Sequence, residues 1–288
     1  MARGIDHIVH AVRDLDGAMD LYRRLGFTVG ARNKHSWGTH NAIVQFPGAF
    51  IELLTLAEPD KLGTDDISRL FGAFNGNFLK HGEGLSMLVL ESRDAKADAA
   101  AFRAGHIAAS EVMRFEREAK RPGGETVKVA FSLAFAADKA ADAGFFVCQQ
   151  HYPENFWNPA FQRHANGAEG IAGVVFAAER PAELRDFMLA FAGAGTARAV
   201  GDGFAIDTPR GEIEVATPAA FRSRFGARPP DMSRGARLAA ICFSLGETTD
   251  ATERAMQQAE IRAQTIGGTV VVALAQGMGA TLVFESTG

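Results

Sequence analysis

Three titratable side chains stand out in the first part of the chain because the residues around them are largely apolar. His7 interrupts the apolar stretch 5–12, and Glu52 lies within the apolar stretch 49–56. A carboxylate in such a stretch needs a polar partner or a shifted pKa. His40 could act as a metal ligand, as a hydrogen-bond donor to a substrate or as a general base. We therefore expect acid–base or ligand-binding chemistry in this part of the protein.

A second group of candidates lies near the middle of the chain, where Gln149 and His151 end the strand-like stretch 144–151. A shift of one residue in strand register reverses the face that every side chain takes. The sequence leaves two registers open, one that turns Val147, Gln149 and His151 inward and one that turns Phe146, Cys148 and Gln150 inward. We predict His151 as an alternative general base and Gln149 as a ligand-binding residue.

Trp157 and His164 lie in the segment 153–168, which contains two prolines and reads as an irregular linker. An aromatic side chain in such a segment could close a pocket, so both residues are predicted to contribute to ligand binding. The alternative is that they fix the linker to the surface of the domain.

The same apolar pattern occurs at residues 4–12 and again at residues 170–178, each time followed by a helix-like segment. Internal similarity of this kind indicates units that pair through an apolar face. His7 of the first copy is replaced by Gly173 in the second, and the second half carries Glu214 where the first carries Glu52. This difference predicts that the chemistry lies in the N-terminal half.

Helical and strand periodicities divide the chain into four modules with the order βαβββ. They cover residues 4–58, 84–152, 170–218 and 237–286. The strands of the first module are predicted at residues 5–12, 27–29, 41–46 and 49–56. The connection between the first two modules carries Phe71, Phe74 and Phe78, whose spacing indicates a helix.

The predicted fold is therefore α+β, with the four modules paired into two domains of curved sheet that enclose a cleft and carry helices outside. The domains cover residues 1–152 and 169–288 and are joined by the linker 153–168.

The composition excludes several classes of protein. The chain has 288 residues, 47% of them hydrophobic, and a net charge of −4 without a basic stripe, so no nucleic-acid partner is expected. No apolar run reaches about 18 residues, so no membrane span is expected. No signal-peptide pattern is present, and Cys148 and Cys242 lie in apolar stretches typical of buried thiols. We expect a cytoplasmic protein that binds a small molecule.

Five motifs in the first module together resemble the vicinal oxygen chelate superfamily and, more narrowly, its glyoxalase-like domain family (the glyoxalase, bleomycin-resistance and dioxygenase type). These motifs are Asp6-His7-Ile8-Val9, Asp14-Leu15-Asp16, Leu25-Gly26-Phe27, Trp37-Gly38-Thr39-His40-Asn41 and Phe50-Ile51-Glu52-Leu53. The resemblance continues across the linker at residues 148–154 and 164–168.

The resemblance implies a divalent metal, such as zinc, manganese, nickel or iron, held by a histidine on the first strand and a glutamate on the fourth. His7 and Glu52 occupy those places in this sequence, and both side chains are suitable ligands for such an ion. The implied activity is that of an isomerase or lyase acting on a small carbonyl or oxygenated substrate, in which the metal stabilises an enolate. His40 or His151 would then be the general base.

The second module departs from the pattern of the family, because Met87 stands where His7 stands in the first, and a thioether is a poor ligand for a hard ion. The third ligand therefore stays open among Gln149, His151 and His40. The C-terminal half has no histidine in either first strand, which argues against an extradiol dioxygenase. Two alternatives follow, a metal-free small-molecule binding or resistance protein and a scaffold that forms a homodimer.

Overall fold

The computed structural model describes residues 2–120 and 124–286, which form two β-sheets and the helices that cover them. The strands of the first sheet are β1 (Ile5–Ala11), β2 (Asn33–Lys34), β3 (Thr39–Phe46), β4 (Ala49–Leu56), β5 (Gly84–Glu91), β6 (Ala108–Ala109), β7 (Met113–Lys120), β8 (Thr126–Ala137) and β9 (Gly144–Gln150). Those of the second are β10 (Ala168–Ala177), β11 (Arg198–Val200), β12 (Gly203–Asp207), β13 (Glu212–Ala216), β14 (Arg237–Leu245), β15 (Gln264–Ile266), β16 (Thr269–Val272) and β17 (Thr281–Ser286). The helices are α1 (Leu15–Arg24), α2 (Phe74–His81), α3 (Ala95–Ala104), α4 (Pro153–Phe156), α5 (Arg185–Ala192), α6 (Pro218–Phe225) and α7 (Asp250–Gln258).

Both sheets have the same strand order. The first sheet runs β2-β3-β4-β1-β5-β9-β8-β6, with β7 also paired to β8, and the second runs β11-β12-β13-β10-β14-β17-β16-β15. In each sheet the first strand pairs in parallel with the fourth strand of its own module and antiparallel with the first strand of the next module. The predicted α+β class, with paired βαβββ modules in two sheets, is confirmed.

The helix-covered faces of the two sheets share one hydrophobic core that includes residues of both halves. Phe145 of β9 shows the packing, because its ring contacts the rings of Phe176, Phe187 and Phe191 from the second half. The other face of each sheet, which we call the inner face, has an apolar cluster of its own. The inner face of the first sheet is the one that carries the site described below.

His10 is among the side chains that link the two halves. Its Nδ1 lies 2.9 Å from the hydroxyl of Tyr22 on α1, and its Nε2 lies 2.9 Å from the backbone oxygen of Met278 in the second half. Burial lowers the pKa of His10, so the imidazole is neutral in the folded protein. This histidine therefore lies on the side of β1 that faces α1, opposite to His7.

The prediction of a strand at residues 27–29 was wrong, because the second strand of the first module is the short β2. Phe27 is instead buried in the shared core, where its ring contacts Phe46 of β3 and Phe243 of β14. The connection after β4 is helical near its phenylalanines, as their spacing predicts. It forms a wide π-helical segment, Ser68–Ala73, that continues directly into α2.

Within residues 2–120 and 124–286, every helix is too short or too polar to cross a lipid bilayer.

The shared core predicts that the two halves unfold together. Replacing Phe145 by alanine removes a fully buried ring between them, and we expect it to lower the free energy of unfolding by about 3–5 kcal/mol. Urea denaturation followed by circular dichroism measures this change, and a single transition is expected for both proteins. The control is Lys96→Ala on the exposed side of α3, with an expected change within about 0.5 kcal/mol. A loss below about 1 kcal/mol for Phe145→Ala would contradict a shared core.

Candidate functional site

A cavity of about 560 Å³, including the space at its opening to solvent, lies over the inner face of the first sheet. Strands β1, β3, β4, β7, β8 and β9, the π-helical segment and the end of α4 all contribute to its wall. The lining residues are His7, His35, Trp37, Asn41, Ile43, Phe50, Glu52, Ile67, Phe71, Phe115, Arg117, Phe131, Leu133, Phe146, Cys148 and Phe156.

His7 is held in place from behind by Asp6. The Nδ1 atom of His7 lies 2.6 Å from Oδ1 of Asp6, and Gln150 donates a hydrogen bond of 3.0 Å to Oδ2 of the same carboxylate. Successive residues of a regular strand point to opposite faces. A β-bulge between Ile5 and His7 in the pairing with β5 breaks this alternation, which allows the Asp6 carboxylate to reach the neighbouring ring.

Glu52 faces His7 across the pairing of β1 with β4. Its Oε2 atom lies 3.8 Å from Nε2 of His7, and its Oε1 atom accepts a hydrogen bond from the side-chain amide of Asn41. Both members of the pair are buried, with exposures of 4% for His7 and 5% for Glu52. An imidazole nitrogen and a carboxylate oxygen thus meet at the wall of the cavity, each with its second atom already bonded.

Burial raises the pKa of Glu52, and the neighbouring His7, Asn41 and Arg117 only partly offset this effect. A carboxylic acid whose pKa is raised by an apolar site can keep its proton near neutral pH and donate a hydrogen bond. Because Oε1 accepts from Asn41, Oε2 beside His7 is the atom that would carry the proton in the neutral form of Glu52.

His35 and Trp37 form the wall next to Asn41. Nδ1 of His35 lies 2.8 Å from the hydroxyl of Thr39, and its ring stacks on Trp37 with 4.5 Å between centroids. Burial, together with the charge of Arg117 and His40, lowers the pKa of His35 to about 3. His35 is therefore a neutral polar group of the cavity at physiological pH.

A second cavity adjoins the first and shares three of its lining residues, Ile43, Arg117 and Phe156. This outer cavity is lined largely by the linker segment, from Glu154 to Phe161, and by polar residues of β7 and β3. The two spaces together form an inner chamber and an outer groove that meet at Arg117.

Of the residues predicted from the sequence, the structure brings only His7 and Glu52 to the inner chamber. His40 lies on the opposite side of β3, where its Nε2 is 2.9 Å from Glu58. His151 lies beside Ser132, with 2.8 Å between Nε2 and Oγ. Gln149 accepts from the backbone N–H of Ala95 and donates to the oxygen of Arg93. Of the two registers that the sequence leaves open for this strand, the structure has the one that turns Phe146 and Cys148 inward.

The two linker candidates are also outside the inner chamber. Trp157 lines the outer groove and contacts the ring of Phe156 at 4.9 Å. His164 accepts a hydrogen bond from the backbone N–H of Thr28, and its Nε2 lies 2.9 Å from the backbone oxygen of Gln45. It therefore holds the linker against the first module, which was the alternative stated above.

Sequence reasoning did not assign a site role to Asp6, His35, Asn41 or Arg117. Asp6 and Asn41 lie inside the motifs Asp6-His7-Ile8-Val9 and Trp37-Gly38-Thr39-His40-Asn41, so a signal was present. Phe115 and Arg117 are two residues apart on β7, so both side chains lie on the same face of that strand. This spacing could be recognised in the sequence, whereas the position of β7 beside the chamber could not.

The metal implied by the family resemblance requires more ligands than this cavity supplies. The described parts of the chain, 2–120 and 124–286, contain no cluster of three histidine, cysteine or carboxylate side chains able to hold an ion.

Met87 and His7 each lie seven residues before the N-cap aspartate of the next helix, so Met87 takes the place of the histidine. Phe146 pairs with Val89 as Glu52 pairs with Val9, so a phenyl ring takes the place of the glutamate. Two donors are fewer than the three protein ligands of a typical catalytic site, and the residues do not fit a metal.

The raised pKa of Glu52 predicts how stability depends on pH. The folded protein keeps the proton above the ordinary value of 4.5, where the unfolded chain has lost it, so this contribution falls as pH rises above 4.5. We expect the free energy of unfolding of the parent protein, relative to Glu52→Gln, to decrease by up to about 1.4 kcal/mol per pH unit. Urea titrations between about pH 4 and pH 8 measure it.

The matched control for this titration is Glu111→Gln, which changes an exposed carboxylate and should leave a nearly constant difference. A difference for Glu52→Gln that increases with pH would show that the folded protein favours the ionised carboxylate, contrary to this prediction.

Comparison with known proteins agrees with the motifs of the first module. The model of the family described as "Glyoxalase-like domain" matches residues 5–190, and no curated protein matches the chain. A hypothetical protein from Staphylococcus aureus has a similar structure, with a TM-score of 0.68 and 13% identity over 98% of this chain and 99% of that one. A mutant 4-hydroxymandelate synthase from Streptomyces coelicolor has a TM-score of 0.62 and 10% identity over 99% of this chain and 92% of that one.

A 2,2',3-trihydroxybiphenyl 1,2-dioxygenase from Sphingomonas wittichii strain RW1 gives a TM-score of 0.53 and 10% identity over 100% of this chain and 91% of that one. At these identities the structures establish a shared fold and nothing about activity. The family model covers more than half of the chain, and the chain therefore belongs to the glyoxalase-like domain family.

Proposed function

We propose that the inner chamber binds a small carbonyl compound and moves a proton at the carbon next to the carbonyl, which is isomerase or lyase chemistry. The observation that carries the proposal is the pair formed by His7 and Glu52, 3.8 Å apart at the chamber wall. Pairs of titratable groups in contrasting environments are typical of acid–base sites.

His7 is suited to act as the base. The carboxylate of Asp6 accepts a hydrogen bond from Nδ1–H, and this tautomer leaves the lone pair of Nε2 directed away from Asp6. Nε2 is the nitrogen that faces Glu52 and the chamber. The same Asp6 carboxylate stabilises the imidazolium that forms when Nε2 takes a proton from the substrate.

Glu52 is suited to act as the acid. With its pKa raised by burial, its Oε2–H can donate a hydrogen bond to the carbonyl oxygen of the substrate. When His7 removes the proton from the adjacent carbon, the electron pair of that C–H bond moves into an enolate, whose oxygen Glu52 stabilises. Return of the proton from His7 to the same or the neighbouring carbon completes an isomerisation. Both residues then regain their starting protonation states.

A metal-free binding or resistance protein is the second candidate, because the aromatic wall of the chamber is also suited to binding without a reaction. Apolar and aromatic linings are general features of ligand pockets whether or not a reaction follows. Exchange of substrate hydrogen with solvent separates the two functions, because binding alone does not break a C–H bond.

The proposal predicts hydrogen exchange next to a carbonyl in deuterium oxide. We expect the protein to accelerate exchange at C3 of 4-phenyl-2-oxobutanoate or of 4-phenyl-2-butanone, measured by proton NMR against the reaction without protein. His7→Asn is expected to lower the catalysed rate by about 100-fold or more, because it removes the base. Glu52→Gln is expected to lower it by about 10-fold to 1,000-fold, because an amide donates a hydrogen bond but no proton.

His151→Asn is the matched control, since it changes a histidine outside the chamber and should leave the rate unchanged. A rate that does not differ between the parent protein and His7→Asn would overturn the proposed role of His7. Binding of the probes without any acceleration would favour the second candidate.

Because His7 and Glu52 provide two donors for a metal ion, fewer than a typical catalytic site, we predict an activity that does not depend on divalent metal. Adding zinc, manganese, nickel or iron(II) is expected to change the melting temperature by less than about 1 °C, because an ion held by two donors binds weakly. Differential scanning fluorimetry with His7→Asn as the comparison measures this. A metal-dependent rise in the parent protein that disappears in His7→Asn would contradict the prediction.

A further inference from the structure

We propose that the ligand of the chamber is an aromatic monocarboxylate whose ring enters the inner chamber and whose carboxylate pairs with Arg117. The reaction on such a ligand rests on the proposed function, whereas its binding does not. Three observations support this ligand class, namely the arrangement of rings in the wall, the position of Arg117 and the charges of the outer groove.

The wall of the chamber contains a closed circuit of ring contacts, which we call the aromatic belt. Each ring contacts the next, with centroids between 4.2 and 6.1 Å apart, and the last returns to the first. In order the belt is His7, Phe50, Phe156, Phe131, Phe115, Trp37, Phe71 and Phe146.

The belt favours a flat guest. Its successive contacts are stacked, tilted or edge-to-face, so the eight rings that line the chamber do not share one orientation. An aromatic guest gains from such geometry beyond the area that it buries, since face and edge of a ring carry opposite partial charges. A saturated ring of similar size gains only the burial.

Arg117 is the cation at the junction of the inner chamber and the outer groove, because it lines both. Its guanidinium donates to the backbone oxygen of Glu118, and among the residues that the structure describes no carboxylate forms an ion pair with it. Glu52 is the acidic group that interacts electrostatically with Arg117, and burial favours the neutral form of Glu52. The guanidinium thus retains donors for an external carboxylate, which it can bind in a bidentate manner.

The charge of the outer groove limits the ligand to a single negative charge. Besides Arg117, the lining of the groove includes two acidic residues, Glu118 and Glu154. A phosphate or dicarboxylate held at Arg117 would place its second charge near these two side chains, where like charges repel. A monocarboxylate at the chamber side of Arg117 avoids this repulsion.

The test of this ligand class measures binding by isothermal titration calorimetry with three probes of similar size. These are 3-phenylpropanoate, 3-phenylpropanamide and 3-cyclohexylpropanoate. We expect the parent protein to bind 3-phenylpropanoate about 10-fold or more tightly than either of the others, which corresponds to about 1.4 kcal/mol for the charge and for the ring.

Arg117→Met is expected to abolish the preference for the acid over the amide while leaving the affinity for the amide within about 2-fold, which also shows that the variant is folded. The matched control is Arg114→Met on the same strand, outside the chamber, and it should retain the preference. Equal binding of acid and amide by the parent protein would overturn the role of Arg117. Equal binding of the phenyl and cyclohexyl acids would overturn the role of the belt.

The exchange reaction distinguishes failure of this inference from failure of the proposed function. Tight, Arg117-dependent binding of 3-phenylpropanoate without any exchange of 4-phenyl-2-oxobutanoate would support the ligand class and overturn the proton-transfer function. Exchange of the neutral 4-phenyl-2-butanone at the same rate as the acid, unchanged in Arg117→Met, would support the function and overturn the ligand class.

Discussion

The chamber depends on the pairing of one buried carboxylate. Asp6 lies in the first strand of an apolar sheet, where an unpaired carboxylate would be strongly destabilising. Hydrogen bonds with His7 and Gln150 satisfy it, and the β-bulge at this point makes the first of them geometrically accessible. The bond to Asp6 fixes the orientation of the imidazole ring. That orientation stacks the ring on Phe50 and directs Nε2 toward Glu52, so the aromatic belt and the contact between His7 and Glu52 depend on the same hydrogen bond.

The two halves of the chain use one strand order in different ways. In the second half the register places Gly173 and Glu214 at the positions of His7 and Glu52. Arg224 of α6 bonds Glu214 and Glu285, and α6 also buries the rings of Phe221 and Phe225 against the inner face. The corresponding segment of the first half, after β4, contributes Phe71 to the wall and leaves the chamber open. The segment after the fourth strand of the module therefore determines whether an inner face is filled or accessible.

Much of this architecture could be read from the sequence, because apolar periodicity and the order of the motifs depend on short-range constraints. The α+β class follows from periodicity within single strands and helices, whereas the pairing of His7 with Glu52 was implied by the resemblance of the motifs to the glyoxalase-like domain family. The positions of His40, His151 and Gln149 depend on which face each strand end turns inward, and the sequence contains no local signal for that choice. Arg117 was missed for a related reason, since its site is created by the pairing of β7 with β8 over the chamber. Phe27 lies in the core between the halves, a long-range contact that overrode its tendency to form a strand.

The enclosure of the chamber depends on Phe156, a residue that lies outside the sheet. This ring joins Phe50 to Phe131 in the belt, yet it belongs to α4, which follows the last strand of the first sheet. The same segment is anchored further along by His164 to the first module and by Asn166 to the end of α1. The enclosure is thus completed by the chain on its way to the second half. A mutation that shortens or reroutes this crossing would alter the mouth of the pocket without changing any strand, so the shape of the pocket depends on the length of chain between the two halves.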